Sequence, residues 1–214
     1  MTEIAGHERF IVFEGIDGAG TTTQTARLRS WLEARGEKVV TTCEPSEGPF
    51  GSMVRNALKR RIVVPTTGEG PDADVDPRVV ALLFAADRLD HLDATILPAL
   101  ARGWWVISDR YIDSSLAYQS IYMDLDWVRT INAHAQRPAR TFFLEVPPAE
   151  GMARIRAKRA RRDHFETEQR LQQVDLRYRE IYAAAPPDLV RLDGTQPEDE
   201  IAAEIASYFE GSVG

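Results

Sequence analysis

A glycine-rich segment near the N-terminus constrains the fold of this chain more than any other feature. Residues 10–24 read Phe-Ile-Val-Phe-Glu-Gly-Ile-Asp-Gly-Ala-Gly-Thr-Thr-Thr-Gln, which predicts a buried strand, a tight turn and the start of a helix. Gly15, four residues, Gly20 and a hydroxyl residue, Thr22, two positions further on follow the spacing of a phosphate-binding loop, or P-loop. Where that motif has lysine, this chain has Thr21. The sequence therefore predicts a phosphate cradle without its usual cation.

The glycines of this segment give the chemical reason for expecting an anion there. Glycine adopts backbone conformations closed to other residues and lets the main chain approach a ligand closely, and a helix start directs N–H groups and a partial positive charge at the ligand. A tight turn without a ligand is the alternative, but the strand and helix on either side favour phosphate binding. Thr22 stands where the P-loop hydroxyl ligates Mg²⁺. The phosphate-binding candidates are Gly15, Asp17, Gly18, Ala19, Gly20, Thr21, Thr22 and Thr23.

Length and composition narrow the class of protein. The 214 residues fit one domain, and the net charge of −7 argues against a nucleic-acid partner. Cys43 is the only cysteine, which excludes an intrachain disulfide and favours a reducing, cytoplasmic location. We expect no signal peptide, since charged residues begin at Glu3, and no apolar run approaches the roughly 20 residues of a membrane span.

Strand and helix patterns alternate along the chain. Five strands are predicted, at 10–13, 38–42, 104–108, 141–146 and 189–192, separated by helical segments that include one long helix over 77–102, kinked before Pro98. This alternation predicts an α/β fold with a parallel sheet and helices on both faces. Together with the P-loop motif it makes a single three-layer P-loop domain over residues 1–214 the expectation, with the strand order 2-3-1-4-5 of that fold type. Ligands bind such sheets beyond the carboxyl ends of the strands, where most of the candidate polar residues lie.

Asp109 and Arg110 directly follow the third predicted strand. Asp109 is a candidate to hold Mg²⁺ through water or to orient an acceptor. Arg110 is a candidate to bind an acceptor phosphate through two parallel hydrogen bonds. A structural Asp–Arg pair at a strand end is the alternative. We favour the functional interpretation and place both residues among the catalytic candidates, Asp109 also as a metal ligand with Thr22.

A dense run of basic residues supplies a candidate replacement for the missing lysine. Within 154–162 the chain has six Arg or Lys residues, in a protein that is otherwise acidic. Such a run is more often a solvated helix face. Here helical spacing puts Arg154 and Arg162 on one side, and we predict a lid over about 154–168 that closes on phosphate. Arg159 and Arg162 are its catalytic candidates.

Two further helical segments carry candidates for recognising a base or a sugar. Phe84 and Arg88 are four residues apart on the long helix and share a face, although a core phenylalanine beside a surface arginine is the better interpretation of that pair alone. Ser115, Tyr118 and Gln119 open a later helix and offer donors and acceptors. Ser114, just before them, is either part of this set or a helix cap.

Taken together, these segments resemble the thymidylate kinase family, P-loop enzymes that phosphorylate dTMP from ATP. The resemblance extends through nearly the whole chain and is specific as a combination, since the glycines alone are common. Its motifs are Phe13–Gly20, Glu44-Pro45, Leu82–Arg88, Asp109-Arg110-Tyr111, Ser114–Gln119 and Arg162–Glu166.

The resemblance implies roles at the matching positions. Phe84 would stack on thymine, and Arg88 and Arg110 would hold the dTMP phosphate. Asp17 would lie near the acceptor sugar or its phosphate, and the lid arginines near ATP. The resemblance also implies Mg²⁺ as the cofactor of the ATP co-substrate, and a homodimer packed through long helices. The dTMP-binding candidates are Asp17, Glu44, Arg55, Phe84, Arg88, Arg110, Ser115, Tyr118 and Gln119.

Two departures from the family pattern leave alternatives open. Thr21 replaces the P-loop lysine, and the residues after Glu44-Pro45 read Ser-Glu-Gly-Pro-Phe-Gly instead of the common Gly-Gly-Thr, with no arginine beside Glu44 in sequence and Arg55 as the nearest cation downstream. We therefore expect ATP-dependent phosphorylation of dTMP, and keep as alternatives a degenerate nucleotide-binding homologue with a regulatory or scaffold role and a kinase for another nucleoside monophosphate.

Overall fold

The structure is a computed structural model that describes residues 7–64, 73–158 and 167–211. Within these ranges five parallel strands form one sheet, and two short strands form a separate antiparallel pair. The strands are β1 (Phe10–Gly15), β2 (Val39–Cys43), β3 (Val63–Val64), β4 (Ala73–Asp74), β5 (Trp105–Asp109), β6 (Arg140–Glu145) and β7 (Leu189–Asp193). The parallel sheet has the order β2-β5-β1-β6-β7, which is the predicted order 2-3-1-4-5 of its five members.

Helices cover both faces of this sheet, as the α/β pattern predicted. In the described ranges they are α1 (Thr21–Glu33), α2 (Pro49–Leu58), α3 (Pro77–His91), α4 (Leu97–Ala101), α5 (Ile112–Gln119), α6 (Leu125–Ile131), α7 (Pro148–Lys158), α8 (Glu168–Ile181) and α9 (Glu198–Ser207). None of them is both long enough and apolar enough to cross a membrane.

The long helix predicted over 77–102 is interrupted at the expected place. A π-helical segment, Leu92–Ile96, separates α3 from α4 just before Pro98. Proline has no N–H to continue the α-helical hydrogen-bond pattern, and the wider π turn accommodates that loss. The chain thus stays helical through the kink and returns to the sheet at β5.

Alternating side chains of β1 pack in two hydrophobic cores, one on each face of the sheet. Ile11 and Phe13 pack in one cluster with side chains of α1, α8 and α9, whereas Phe10 and Val12 pack in another with side chains of α4, α5 and α6. Since both faces of β1 are fully buried, this strand is apolar at nearly every position. Glu14 is the exception.

The register of the sheet brings the functional motifs to one edge. Phe13 of β1 and Cys43 of β2 both lie opposite Asp109 of β5, and Gly15 lies opposite Leu144 of β6. The strands therefore end at nearly the same level, and the segments that follow β1, β2 and β5 emerge side by side.

Candidate functional site

The turn between β1 and α1 has the geometry that its glycines predicted. Gly18 and Gly20 have φ angles of 84° and 101°, in the left-handed region that favours glycine. Helix α1 begins at Thr21, and Gly20 before it has no side chain with which to cap the helix. The first N–H groups of an α-helix lack carbonyl partners within the helix, so those of α1 remain available to an anion at this turn.

Helix α7 packs directly against the turn. A Cβ atom added to Gly18 would lie 2.3 Å from the carbonyl oxygen of Gly151, and one added to Gly151 would lie 2.9 Å from the carbonyl oxygen of Asp17. The turn and α7 therefore touch through backbone atoms. Glycine is required on both sides of this contact, and sequence analysis identified only Gly18.

Thr22 and Asp109 come together at the edge of the sheet. The Thr22 hydroxyl donates a hydrogen bond to Oδ2 of Asp109. The other carboxylate oxygen, Oδ1, is buried and has no hydrogen-bond partner among the described residues. Thr21, by contrast, is buried, with its Cγ2 near Gly15. No group of three or more metal-ligating side chains exists in the described part of the chain, so a cation here would take its remaining ligands from phosphate and water.

Arg110 links the segment after β5 to the glycine turn. Its Nη1 donates to the carbonyl oxygen of Gly15 at 2.8 Å and to Oγ of Ser114 at 3.1 Å, and its Nη2 donates to Oδ1 of Asp17 at 2.5 Å. Arg110 has a φ of 74°. Such a backbone costs roughly 1–3 kcal/mol for a residue other than glycine, and the surrounding hydrogen bonds must hold it in place.

Glu14 is a site residue that sequence analysis missed. It is fully buried at the end of β1, where its Oε1 accepts hydrogen bonds from the backbone N–H groups of Tyr111 (2.9 Å) and Ser114 (3.1 Å). Its Oε2 accepts from the hydroxyls of Ser114 (2.5 Å) and Tyr178 (2.8 Å). Burial, and secondarily the charge of Asp113, raises the pKa of Glu14 to about 7. A carboxylate in an otherwise apolar strand was the signal available in the sequence.

The same contacts correct one alternative from the sequence. Ser114 does not cap a helix, because α5 begins two residues earlier, at Ile112, and the Ser114 side chain donates to Glu14.

Arg88 lies in a second, fully buried polar cluster. Its Nη2 donates to Oε2 of Glu44 at 2.6 Å and to Oγ of Ser115 at 2.8 Å, and its Nη1 donates to Oδ1 of Asn132. Arg88 and Glu44 have side chains that are 1% and 2% exposed. Sequence analysis found no arginine beside Glu44, whereas the fold places Arg88 there. His91 also contacts Glu44, with Nδ1 3.3 Å from Oε1.

Arg88 and Arg110, which the family resemblance paired on one phosphate, have different surroundings. They share no hydrogen-bond partner in the described contacts. Arg110 contacts the glycine turn, whereas Arg88 contacts Ser115, whose Oγ also accepts from Nε2 of Gln119 at 3.2 Å. Nε of Arg88 and Oε1 of Gln119 are buried without partners among the described residues, so a donor and an acceptor remain for a ligand.

The remaining acceptor-site candidates lie around these two clusters. The Tyr118 hydroxyl accepts from the backbone N–H of Asp17 at 3.0 Å, and the Tyr118 ring lies 5.1 Å from the Arg110 guanidinium. Phe84 is half-buried, one helical turn before Arg88. Arg55 donates to the carbonyl oxygens of Pro45 and Ser46 and so stays close to the segment that follows Glu44.

Of the predicted lid over about 154–168, the structure describes residues 154–158 and 167–168. Arg154 is bound to Glu150, to the carbonyl oxygen of Gly194 at 2.9 Å and to that of Ala19 at 3.4 Å. It therefore ties α7 to the glycine turn and to the loop after β7. Arg159 and Arg162 lie outside the described residues, and the role assigned to them stays a prediction.

The parallel sheet, the glycine turn at the end of its central strand and the Thr22–Asp109 pair define a P-loop nucleotide-binding protein. Residues 13–205 match the family model described as "Thymidylate kinase". Three similar proteins are a probable thymidylate kinase of Thermococcus kodakarensis and the thymidylate kinases of Bifidobacterium longum (strain NCC 2705) and Leifsonia xyli. The Thermococcus protein is 37% identical to this chain, over 96% of this chain and 98% of its own length. The Bifidobacterium protein is 40% identical, over 92% of this chain and 95% of its own length. The Leifsonia protein is 37% identical, over 95% of this chain and 95% of its own length. The chain belongs to the thymidylate kinase family.

Proposed function

We propose that the protein is a nucleoside monophosphate kinase that transfers the γ-phosphoryl group of ATP to dTMP. The observation that carries this function is the convergence of the glycine turn, Asp109 and Arg110 at one edge of the sheet, in a chain of this family. A reducing, cytoplasmic compartment is part of the proposal, because Cys43 is a free and exposed thiol.

The reaction needs positioning and charge stabilisation more than proton transfer. An oxygen of the dTMP phosphate attacks the γ-phosphorus of ATP, the bond to the β-phosphate oxygen breaks, and dTDP and ADP form. The attacking phosphate is largely ionised at neutral pH, since its second pKa is about 6, so no strong base is required. In this proposal the N–H groups of the turn hold the ATP phosphates, and Arg110 holds the acceptor phosphate in line.

The residues at the edge of the sheet fit Mg²⁺. The Thr22 hydroxyl and Oδ1 of Asp109, which has no hydrogen-bond partner in the described ranges, are hard oxygen ligands next to the turn. Mg²⁺ is commonly held by one or two carboxylates together with substrate phosphates and water. Thr22 and Asp109 would hold the ion, directly or through water. When bound, Mg²⁺ neutralises charge that develops on the phosphates.

The buried Arg88 cluster supports recognition of the base. Nε of Arg88 offers a donor and Oε1 of Gln119 an acceptor, on either side of Ser115. Thymine presents carbonyl acceptors and one N–H donor, which is a complementary set. We therefore assign Arg88 to the base, Arg110 to the phosphate, and Phe84 to stacking on the ring.

A coupled assay of ADP formation tests the function. ADP is expected to form from ATP and Mg²⁺ only when dTMP is added, with dTMP preferred over dUMP, dCMP, dGMP and AMP. A folded protein that binds dTMP but forms no ADP above background would defeat the proposal. Preference for a different monophosphate would keep the reaction class and change the substrate.

Restoring the family lysine by Thr21→Lys addresses the missing cation. We expect kcat to change by less than about tenfold, because in this proposal the turn N–H groups hold the ATP phosphates and the lid arginines replace the missing cation. A donor whose role is already filled adds less than the roughly 10²–10³-fold of an essential one. The measurement is kcat and KM for ATP and dTMP, with Thr23→Lys as the control for adding a charge to the same helix turn. Activity that appears only in Thr21→Lys would contradict the proposal.

We also propose a homodimer that packs through α3. Val79, Leu82 and Leu89 are 46%, 49% and 43% exposed, and their spacing of three and seven residues puts them on one face of this helix. Light scattering is expected to give twice the mass of one 24.0 kDa chain, and Leu82→Glu to give the single chain. Leu176→Glu on α8, where the leucine is 64% exposed, is the matched control and should leave the mass unchanged. A native monomer would refute the assignment.

A further inference from the structure

We infer that Glu14 is a positioning residue for Arg110: as a carboxylate it sets the direction of the Ser114 hydroxyl, which in turn holds the Arg110 guanidinium on the acceptor phosphate. This inference rests on the proposed function and extends it to a buried group that contacts no substrate.

The first step is the placement of Glu14. It occupies the last position before Gly15, and all four of its hydrogen bonds come from outside β1. Two come from backbone N–H groups on the segment that carries Arg110. The carboxylate thereby fixes the residues that follow Arg110, whose own backbone is in the left-handed conformation. On the other side, the backbone N–H of Arg110 donates to the carbonyl oxygen of Phe13 at 2.9 Å. Arg110 is thus clamped from both ends onto β1.

The second step is the Ser114 hydroxyl. It donates to Oε2 of Glu14 at 2.5 Å, which leaves its lone pairs to accept from Nη1 of Arg110 at 3.1 Å. A hydroxyl has one proton, so its direction depends on whether the partner accepts or donates. Only an ionised Glu14 accepts from both Ser114 and Tyr178. A protonated Glu14, or glutamine, places a donor in the same space and competes with Arg110 for the lone pairs of Ser114.

The third step is the titration range. Burial raises the pKa of Glu14 to about 7, so the balance between the two forms falls near neutrality. The ionisable groups that face this cluster are Asp17 on the glycine turn, Asp113 and Tyr118 on α5, Arg110 on the segment after β5, and Tyr178 and Tyr182 on α8. Of these, Asp113 raises the pKa of Glu14 and Arg110 lowers it.

Glu14→Gln tests the inference, because glutamine has the shape of the protonated acid. At pH 8 we expect KM for dTMP to rise about tenfold, the loss of one hydrogen bond to a charged group, while KM for ATP changes less than threefold. At pH 6 the native protein should approach the variant, so that the ratio of their KM values for dTMP falls toward one. Ionisation of the dTMP phosphate affects both proteins equally and cancels in this ratio.

Matched variants separate positioning from stability. Ser114→Ala removes the intermediate hydroxyl and should raise KM for dTMP as Glu14→Gln does. Asp113→Asn neutralises the adjacent buried carboxylate, which contacts Tyr182 and Arg137 instead of Arg110, and should leave KM for dTMP at pH 8 within twofold of native. In an Arg110→Ala background, Glu14→Gln should change kcat/KM for dTMP by less than twofold, since the group it positions is gone.

The outcomes distinguish this inference from the proposed function. A native protein that does not phosphorylate dTMP removes the function and the inference with it. A native enzyme that is active, beside a folded Glu14→Gln variant with unchanged KM for dTMP at pH 8, overturns the inference alone. A variant-to-native ratio that is equal at pH 6 and pH 8, or additive effects with Arg110→Ala, overturns it as well.

Discussion

Replacing Arg110 with alanine is expected to lower kcat/KM for dTMP by about 10²–10³-fold, the effect of removing one preorganised charge-stabilising donor. The guanidinium is already held next to the glycine turn by Gly15 and Asp17, so it need not reorganise when the acceptor phosphate arrives. Lysine at this position should recover little, because an ammonium cannot make two parallel contacts. Steady-state kinetics with dTMP and ATP varied separately would measure the loss.

The specificity of this effect needs a control on an arginine outside the site. Arg129→Ala removes an exposed guanidinium on α6, paired with Asp126 three residues away, and should leave kcat/KM within twofold of native. Since Arg110 also supports the turn, unfolding curves of Arg110→Ala should be recorded alongside. A folded Arg110→Ala variant that loses less than fivefold in kcat/KM would remove Arg110 from the acceptor site.

The largest effect on stability is expected from Arg88→Met, which should lower the free energy of unfolding by about 3–5 kcal/mol. The substitution removes one partner of a fully buried ion pair, and within the described part of the chain it leaves His91 as the remaining ion-pair partner of the Glu44 carboxylate. Breaking such a pair is costly because the remaining charge stays out of water. Denaturant unfolding measured at pH 7 would give the loss.

A double variant and a surface pair check the cause of this loss. Arg88→Met with Glu44→Leu removes both charges, so it should be less destabilised than Arg88→Met alone. Arg129→Met breaks an exposed pair with Asp126 and should cost about 1 kcal/mol or less. Equal losses for Arg88→Met and Arg129→Met would show that the Arg88–Glu44 pair contributes no more than a surface contact.

The order of the strands and the edge that carries the site could both be predicted from the sequence. The edge follows from local patterns, which are apolar runs that end in a glycine turn or an Asp-Arg pair and are separated by helical periodicity. The order was expected because the glycine motif places the chain in the P-loop fold type. Because parallel strands end together, the predicted positions of Gly15, Asp109 and Arg110 followed from the alternation alone. The hydrogen bond of 2.8 Å from Arg110 to the carbonyl oxygen of Gly15, and the one from Thr22 to Asp109, confirm that these segments meet at one edge of the sheet.

The buried partners could not be predicted in the same way. Glu44 directly follows β2, and Arg88 lies in α3, 44 residues later in the sequence. Nothing in the local spacing around either residue identifies the other as its partner. In the sequence, Glu14 looks like one more residue of the strand before the P-loop. Its hydrogen-bond donors lie in or just before α5 and at Tyr178, which is 164 residues later. Such pairings are decided by tertiary packing, which periodicity does not encode.

The contact between Gly18 and Gly151 has a consequence for how this chain tolerates substitution. A methyl group at position 18 would need α7 to retreat by about 1 Å to reach ordinary van der Waals distance from the Gly151 carbonyl. That carbonyl belongs to the main chain, and residue 151 already has no side chain to shorten, so no substitution at 151 can make room for a larger residue at 18. Mutant libraries of this enzyme should therefore keep glycine at both positions. Gly18 lies in a familiar motif, whereas Gly151 lies in α7, 133 residues away, where no motif marks it.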